Sequence, residues 1–357
     1  MKVMLLSKYS RLGPSSRLRT IQYVDFLRDN KVDVTLVPLF NDDYLKALYK
    51  GDKKSTLIIA MKSYIRRFFD LFKVFKYDVI WIEKEILPYT LPIFEFFLFL
   101  IKKPYIVDYD DAIFHNYDLS KNKIIRCILS NKIPVVMKHS TCVIAGNQYL
   151  ARKSISSGAK NTIVLPTVVD LNRYTMVPVD NKVFRIGWIG SPSTQKYIIE
   201  ISDVLNDICE TYNCELYLIG ATDEVKKYFP NINVQIEKWT EESESSLIEK
   251  MSVGIMPLHD GPWEKGKCGY KLVQYMAKGK PVVASDVGVN REIVENSGSG
   301  YLVNSPEGWF DAIEALVKDQ VKYETCSFNG RNSVEKIYCT NVTKDKILKE
   351  IIKAGTL

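Results

Sequence analysis

The sequence predicts an α/β protein built from two doubly wound parallel-sheet domains, on three observations. A chain of 357 residues is too long for one ordinary core and suits two. Short apolar runs alternate with helical periods, the pattern of β–loop–α–β units in a parallel sheet. That alternation restarts at Phe184, after an irregular, Pro-containing stretch from Pro166 to about Lys182 that reads as a linker. The expected domains are therefore 1–170 and 171–339.

Composition bounds the function. The chain is 46% hydrophobic and 25% charged, as globular proteins are. Its net charge of +7 favours anionic surfaces or substrates but falls short of a nucleic-acid-binding composition. Seven cysteines are scattered without metal-ligand spacing, and the odd count argues against a disulfide framework, so a reducing cytoplasm is expected. The opening M-K-V-M-L-L-S is too short for a signal peptide and reads as a first strand.

Val3–Ser7 is that strand, with Val32–Leu39 the second. Between them Gly13 and Pro14 turn the chain, and Ser15 or Ser16 can cap the next helix. The loop with Gly13, Ser15, Ser16 and Arg17 lies beyond a strand's carboxyl end, where ligands of such sheets sit; it reads either as a ligand loop or as a plain turn. Residues from about Tyr44 to Tyr77 are expected to be helical. From Met61 to Tyr77 aromatics interleave with Lys and Arg, which suits either an anionic membrane interface or a helix packing its phenylalanines on the sheet. Leu87–Ile101 is phenylalanine-rich, but it holds two prolines and is shorter than the roughly 20 residues a membrane span needs. It is expected to be a buried helix or a greasy face. Further strands follow at Asp78–Ile82, Tyr105–Val107, Cys142–Ala145 and Thr162–Leu165. Asp108, Asp110, Asp111 and His115 crowd one strand's end, where they can do acid/base work, position hydroxyls or cap a helix. No second carboxylate cluster suggests a metal cage.

In the second domain, strands are expected at Arg185–Ile189, Leu216–Ile219, Val234–Ile236, Val253–Leu258 and Pro281–Ser285. After the first of these, Gly190 permits close approach to a ligand, Ser191 can cap and Pro192 suits a first helical position, so an anion-binding helix start is expected there. A second is expected where the helix Tyr270–Ala277 begins, with Lys267 and Lys271 adding full charges. Gln274 shares a helix side with Lys271. Helices are also expected over Glu241–Lys250, Pro306–Lys318 and from about Ser327 to Ala354.

The order of these pieces resembles the retaining, nucleotide-sugar-dependent glycosyltransferases of GT-B fold known as group 1 or family four. The resemblance lies in Gly13–Arg19, Asp108–Ala112, Pro166–Asp170, Gly187–Ser193 and, above all, Met256–Leu258 through Gly288–Val294. The reading G-K-C-x-x-K-x-x-Q-Y-M-A is most similar to the bacterial surface-polysaccharide branch, which makes lipopolysaccharide or capsule. The resemblance implies two Rossmann-like domains facing across a cleft, with the helix from about 340 to 357 packing back on the first. It implies a nucleotide-diphosphate sugar as donor, a lipid-linked or glycan acceptor, no metal and no cofactor, and a cytoplasmic or membrane-peripheral location.

Residue by residue, Gly190, Ser191, Ser193, Lys267, Lys271, Gln274, Glu292 and Trp239 would line the donor, with Gln274 on the ribose. Asp110 or Asp111 would orient or deprotonate the acceptor hydroxyl, and Lys271 would stabilise the leaving group. Gly13, Ser15, Ser16, Arg17 and His115 would lie on the acceptor side. Much of the family has two glutamates eight residues apart; here they fall at Gly266 and Gln274. That departure keeps two other readings open, a sugar-nucleotide epimerase or hydrolase and a non-catalytic sugar-nucleotide-binding subunit.

Overall fold

A computed structural model describes residues 1–176 and 183–356. The end of the expected linker, residues 177–182, lies outside the described residues. The chain divides into two compact units: Met1–Thr167 with Gly266–Cys268 and Thr343–Leu357, and Val168–Lys265 with Gly269–Val342.

The first unit holds a six-stranded, all-parallel sheet. Its strands are β1 (Lys2–Tyr9), β2 (Asp33–Phe40), β3 (Val79–Glu83), β4 (Tyr105–Tyr109), β5 (Cys142–Ala145) and β6 (Thr162–Val164), in the order β2-β1-β3-β4-β5-β6. The central strands are apolar on both faces, as a sheet covered by helices on both sides requires: Val3–Leu5, Val79–Ile82, Ile106–Val107 and Val143–Ala145 are fully buried. The strand order reverses between β1 and β3, and the carboxyl ends beside that point are where doubly wound sheets bind ligands.

The second unit repeats the plan with β7 (Arg185–Ile189), β8 (Glu215–Ile219), β9 (Val234–Glu237), β10 (Val253–Met256), β11 (Val282–Ser285) and β12 (Gly300–Val303), ordered β12-β11-β10-β7-β8-β9. Its reversal falls between β7 and β10, so Gly190 and Pro257 flank the switch point. Strand β12 was not among the expected strands: its Gly-Tyr-Leu-Val run is short, and its pairing to Val282–Ser285 decides it.

Several helices differ from expectation for local reasons. The region from Tyr44 is two helices, Asp42–Tyr49 and Lys53–Leu71, broken at the left-handed Gly51 and restarted by Asp52, whose carboxylate accepts from the Ser55 amide. The helix expected from Leu87 covers only Ile93–Leu100, because the chain cannot close helical bonds through Pro88 and Pro92. The acidic helix shrinks to Glu244–Glu249. The C-terminal region is two helices, Gln320–Lys336 and Thr340–Gly355.

Candidate active site

Beyond β7 the expected helix start does not form. Residues Ser191–Thr194 are a turn, and a helix of four residues begins only at Lys196. The cause is Thr194: its Oγ1 accepts from the Ser191 amide at 3.1 Å and donates to the Ser191 carbonyl at 3.0 Å, closing the turn on itself. Ser191 and Ser193 hydroxyls lie 2.9 Å apart at the exposed rim. Gly190 is required for space, since a Cβ there would lie 2.2 Å from the Trp188 ring.

The helix Tyr270–Ala277 does form at its expected bounds. Gly269 enters it in the left-handed conformation with φ 65°, and no side chain caps it among the described residues. Lys271, half-buried in the first turn, sets its Nζ 4.6 Å over the buried Trp188 ring. Gln274 points inward and is buried: its Nε2 donates to the Tyr174 hydroxyl at 3.0 Å. Tyr174 in turn donates to Glu244 at 2.6 Å, and the Trp239 Nε1–H donates to the other Glu244 oxygen at 2.8 Å. Gln274 and Trp239, both expected to line the donor, are thus two ends of one hydrogen-bonded chain. Glu292 is exposed in the first turn of the Val289–Ser297 helix, a favourable place for a carboxylate on its own account. A separate pocket of about 400 Å³ opens at the ends of β10, β11 and β12, where His259 meets Glu200 at 2.9 Å.

In the first unit the strand ends hold a buried charge network. Arg19, fully enclosed, binds Asp108 through Nε at 2.8 Å and Nη2 at 3.2 Å, and donates through Nη1 to the Leu165 carbonyl at 2.7 Å. Lys84, in the left-handed region with φ 66°, sets its Nζ 2.9 Å from Asp110 and 3.3 Å from Asp111. The Ser15 hydroxyl donates to Asp110, and Ser16 donates to Glu83 at 2.5 Å. Burial pushes the Asp108 carboxyl up to about 6 against the pull of Arg19. Burial also acts on the adjacent pair, with opposite outcomes. Lys84 and Arg19 outweigh it at Asp110, which is held below the usual carboxylate range. At Asp111 burial wins over Lys84, the Asp110 charge adds to it, and the carboxyl is raised. Neighbouring carboxylates driven apart in this way divide the roles of charged group and proton acceptor.

Among the remaining acceptor-side residues, His115 is locked: Nδ1 meets Asp118 and Nε2 the Tyr149 hydroxyl, each at 2.8 Å. Gly13 packs against Tyr9 where a Cβ would be 2.4 Å away, and Arg17 is buried, its Nη1 reaching the Arg11 carbonyl at 3.4 Å. Lys267 was expected with the donor residues but belongs to this unit. The Asn147 amide donates to its carbonyl at 2.8 Å, the Cys268 thiol donates to the Asp110 carbonyl at 3.0 Å, and a Cβ on Gly266 would stand 2.7 Å from the Ala112 nitrogen. Sequence reasoning missed Glu83, Lys84 and Arg19. The run Glu83-Lys84-Glu85 directly after a fully apolar strand was the available signal.

Residues 183–319 match the family described as glycosyl transferases group 1. The chain is similar in structure to sucrose-phosphate synthase from Thermosynechococcus elongatus, with TM-score 0.72 at 13% identity over 99% of this chain and 98% of that one. It is similar to HepE of Anabaena, solved in complex with UDP-glucose, with TM-score 0.70 at 16% identity over 99% and 100%. It is also similar to WaaG, a glycosyltransferase involved in lipopolysaccharide biosynthesis, with TM-score 0.70 at 12% identity over 98% and 99%. No curated protein sequence matches the chain. The fold is therefore GT-B.

Proposed function

We propose that the chain transfers a sugar from a nucleotide-diphosphate donor to a lipid-linked or polysaccharide acceptor, with retention and without a metal, in the synthesis of a bacterial surface glycan. The observation that carries this reading is the start of the Tyr270–Ala277 helix. A cation in a helix's first turn is repelled by the helix dipole, yet Lys271 stands there over Trp188 beside an uncapped N-terminus. Both features favour one thing, an anion, and a sugar nucleotide's diphosphate supplies it. Charge on that diphosphate grows as the sugar–oxygen bond breaks, so Lys271 and the helix amides favour the transition state over the ground state. Gly190, Ser191 and Ser193 line the donor at their turn. Gln274 and Trp239 brace it through Tyr174 and Glu244 rather than through free side chains.

In the first unit, Asp111 orients the acceptor hydroxyl and takes its proton, while Asp110 stays charged and fixes Lys84. Peripheral attachment to an anionic membrane suits a lipid-linked acceptor; among the described residues no helix is long and apolar enough to cross a membrane.

A panel of sugar nucleotides screened by thermal shift, followed by transfer of labelled sugar to lipid-linked acceptors, tests the reading. Lys271→Ala, with the fold intact, is expected to lower turnover about 100-fold, as loss of one charge-stabilising donor does. Unchanged turnover and donor affinity would remove Lys271 from the diphosphate. Donor consumed or epimerised without acceptor would favour the epimerase or hydrolase, and binding without any turnover the non-catalytic subunit.

A further inference from the structure

The Lys53–Leu71 helix is packed inside out. Its inward residues are Ser63, Arg67 and Asp70 with Leu71, and Arg67, 1% exposed, donates through Nη2 to the carbonyls of Ser7 and Val37, each at 2.9 Å. Its phenylalanines face outward: Phe69 and Phe72 are 61% and 65% exposed, and Phe75, just beyond, 63%. This surface continues onto the Ile93–Leu100 helix. Phe68 meets Phe94 with ring centroids 5.9 Å apart, Phe75 meets Phe97 at 6.5 Å, and Phe96 meets Phe99 at 6.0 Å. Ile93, Phe97 and Leu100 are exposed as well. A soluble monomer seldom exposes so large a contiguous apolar face.

The face ends at a pocket. Phe99 lies 4.2 Å from the His139 ring, at the end of the Lys132–His139 helix, and both line a cavity of about 520 Å³. Its charged lining residues are Lys138, Lys160, Lys353 and Glu350. Among the described residues the three lysines enter no ion pair, and all three are exposed. The one carboxylate is occupied: Asn161 donates to Glu350 at 3.0 Å, and the Cys142 thiol is held up to about 12 by burial and by Glu350. The pocket is thus net cationic, with an aromatic lip continuous with an apolar surface.

We propose that this pocket binds the phosphate headgroup of an anionic phospholipid, with the two outward-facing helices seated in the acyl boundary beside it. Charge complementarity selects the occupant. Three cations without an ion pair among the described residues call for an anion, and Phe99 on the lip calls for an anion with an apolar continuation. An acidic protein meets only the first demand and free phosphate likewise. The site deepens the membrane-peripheral part of the proposed function, and donor binding resides elsewhere, in the second unit.

The test is co-sedimentation of the whole protein with phosphatidylcholine vesicles, with and without phosphatidylglycerol. Wild type is expected on the anionic vesicles. Lys138→Glu/Lys160→Glu/Lys353→Glu is expected to lower partitioning at least about 100-fold, taking roughly fivefold per surface cation. Lys227→Glu/Lys322→Glu/Lys336→Glu, three exposed lysines of the second unit, is expected to leave it within about twofold. Phe99→Ser is expected to weaken binding to anionic vesicles while keeping the same lysines. Donor-induced thermal shifts should persist in every variant, which separates loss of this site from failure of the glycosyltransferase reading. The proposal is overturned if wild type ignores anionic lipid, if both lysine triples weaken binding equally, or if inorganic phosphate stabilises the protein while vesicles do not bind.

Discussion

Replacing Arg19 by methionine is the sharpest test of the buried network at the ends of β1, β3 and β4. The guanidinium makes two bonds to Asp108 and two more to the Leu165 carbonyl and the Thr167 hydroxyl. The Asp108 side chain has no exposed surface, so losing Arg19 leaves a carboxylate buried without its cation. Breaking one side of such a pair costs about 3–5 kcal/mol. The cost must depend on pH. In the native protein Asp108 titrates near 6, above its ordinary 3.8, because burial outweighs Arg19. Its own contribution to stability is therefore full below about 3.8 and lost as pH rises through about 6. Without Arg19 the carboxyl climbs further. Below pH 6 both proteins carry it neutral, and the deficit reduces to the hydrogen bonds lost at Asp108, Leu165 and Thr167, about 1–3 kcal/mol. Above pH 6 the wild type ionises and the variant does not, and the gap widens by about 1.4 kcal/mol per pH unit. Urea unfolding at a series of pH values between 5 and 8.5 reads this directly. Arg19→Met/Asp108→Asn should recover much of the loss and flatten the pH dependence. A deficit that stays constant across the series, or a double variant as unstable as the single one, would refute the reasoning.

Three other outcomes are expected. Lys84→Met removes the cation that holds Asp110 low and restrains Asp111, so the acidic limb of the pH–rate profile should move to higher pH by at least about one unit; an unmoved limb would detach these carboxylates from turnover. Gln274→Met and Trp239→Phe should each cost about 1 kcal/mol, and a double-mutant cycle should show coupling, since both act on the Tyr174–Glu244 pair. Gly266→Ala should destabilise by about 1–3 kcal/mol through overpacking on Ala112, and Gly266→Glu by more, with no gain in transfer activity; thermal unfolding and a transfer assay would show it.

The sheets were legible because buried parallel strands are nearly continuous apolar runs; the edge strand Val234–Glu237, half-buried, shows alternation instead, and Gly300–Val303 was too short to carry the signal alone. What sequence could not show was the direction in which a mixed pattern faces. From Met61 to Tyr77 the alternation of aromatics and cations fits a helix either way round. Helical period alone favours phenylalanines on the sheet, and only the bonds from Arg67 to Ser7 and Val37 reverse it. The same ambiguity hid the turn at Ser191. Ser-Pro after a strand is a helix-start signal, and Thr194 three residues on looks incidental until its hydroxyl is seen closing the turn. At the carboxylate cluster, sequence identified Asp110 and Asp111 but not the groups that set their protonation, because Lys84 follows β3 and Arg19 closes the Pro14–Arg19 helix, and they meet the aspartates only in the folded unit.

Gly266 shows how such an assembly limits a residue chosen elsewhere in the chain. The position where the resemblance leads one to expect a glutamate packs here against the Ala112 backbone, next to a cysteine that donates to the Asp110 carbonyl. Any side chain would have to displace the segment that also carries Lys267, whose charge opposes the burial that raises the Asp111 carboxyl. The missing glutamate is then not a gap in a site otherwise intact. The absence of a side chain at Gly266 is the condition for the Cys268 thiol to reach the Asp110 carbonyl, and a glutamate there should cost that packing before it adds any contact to a sugar.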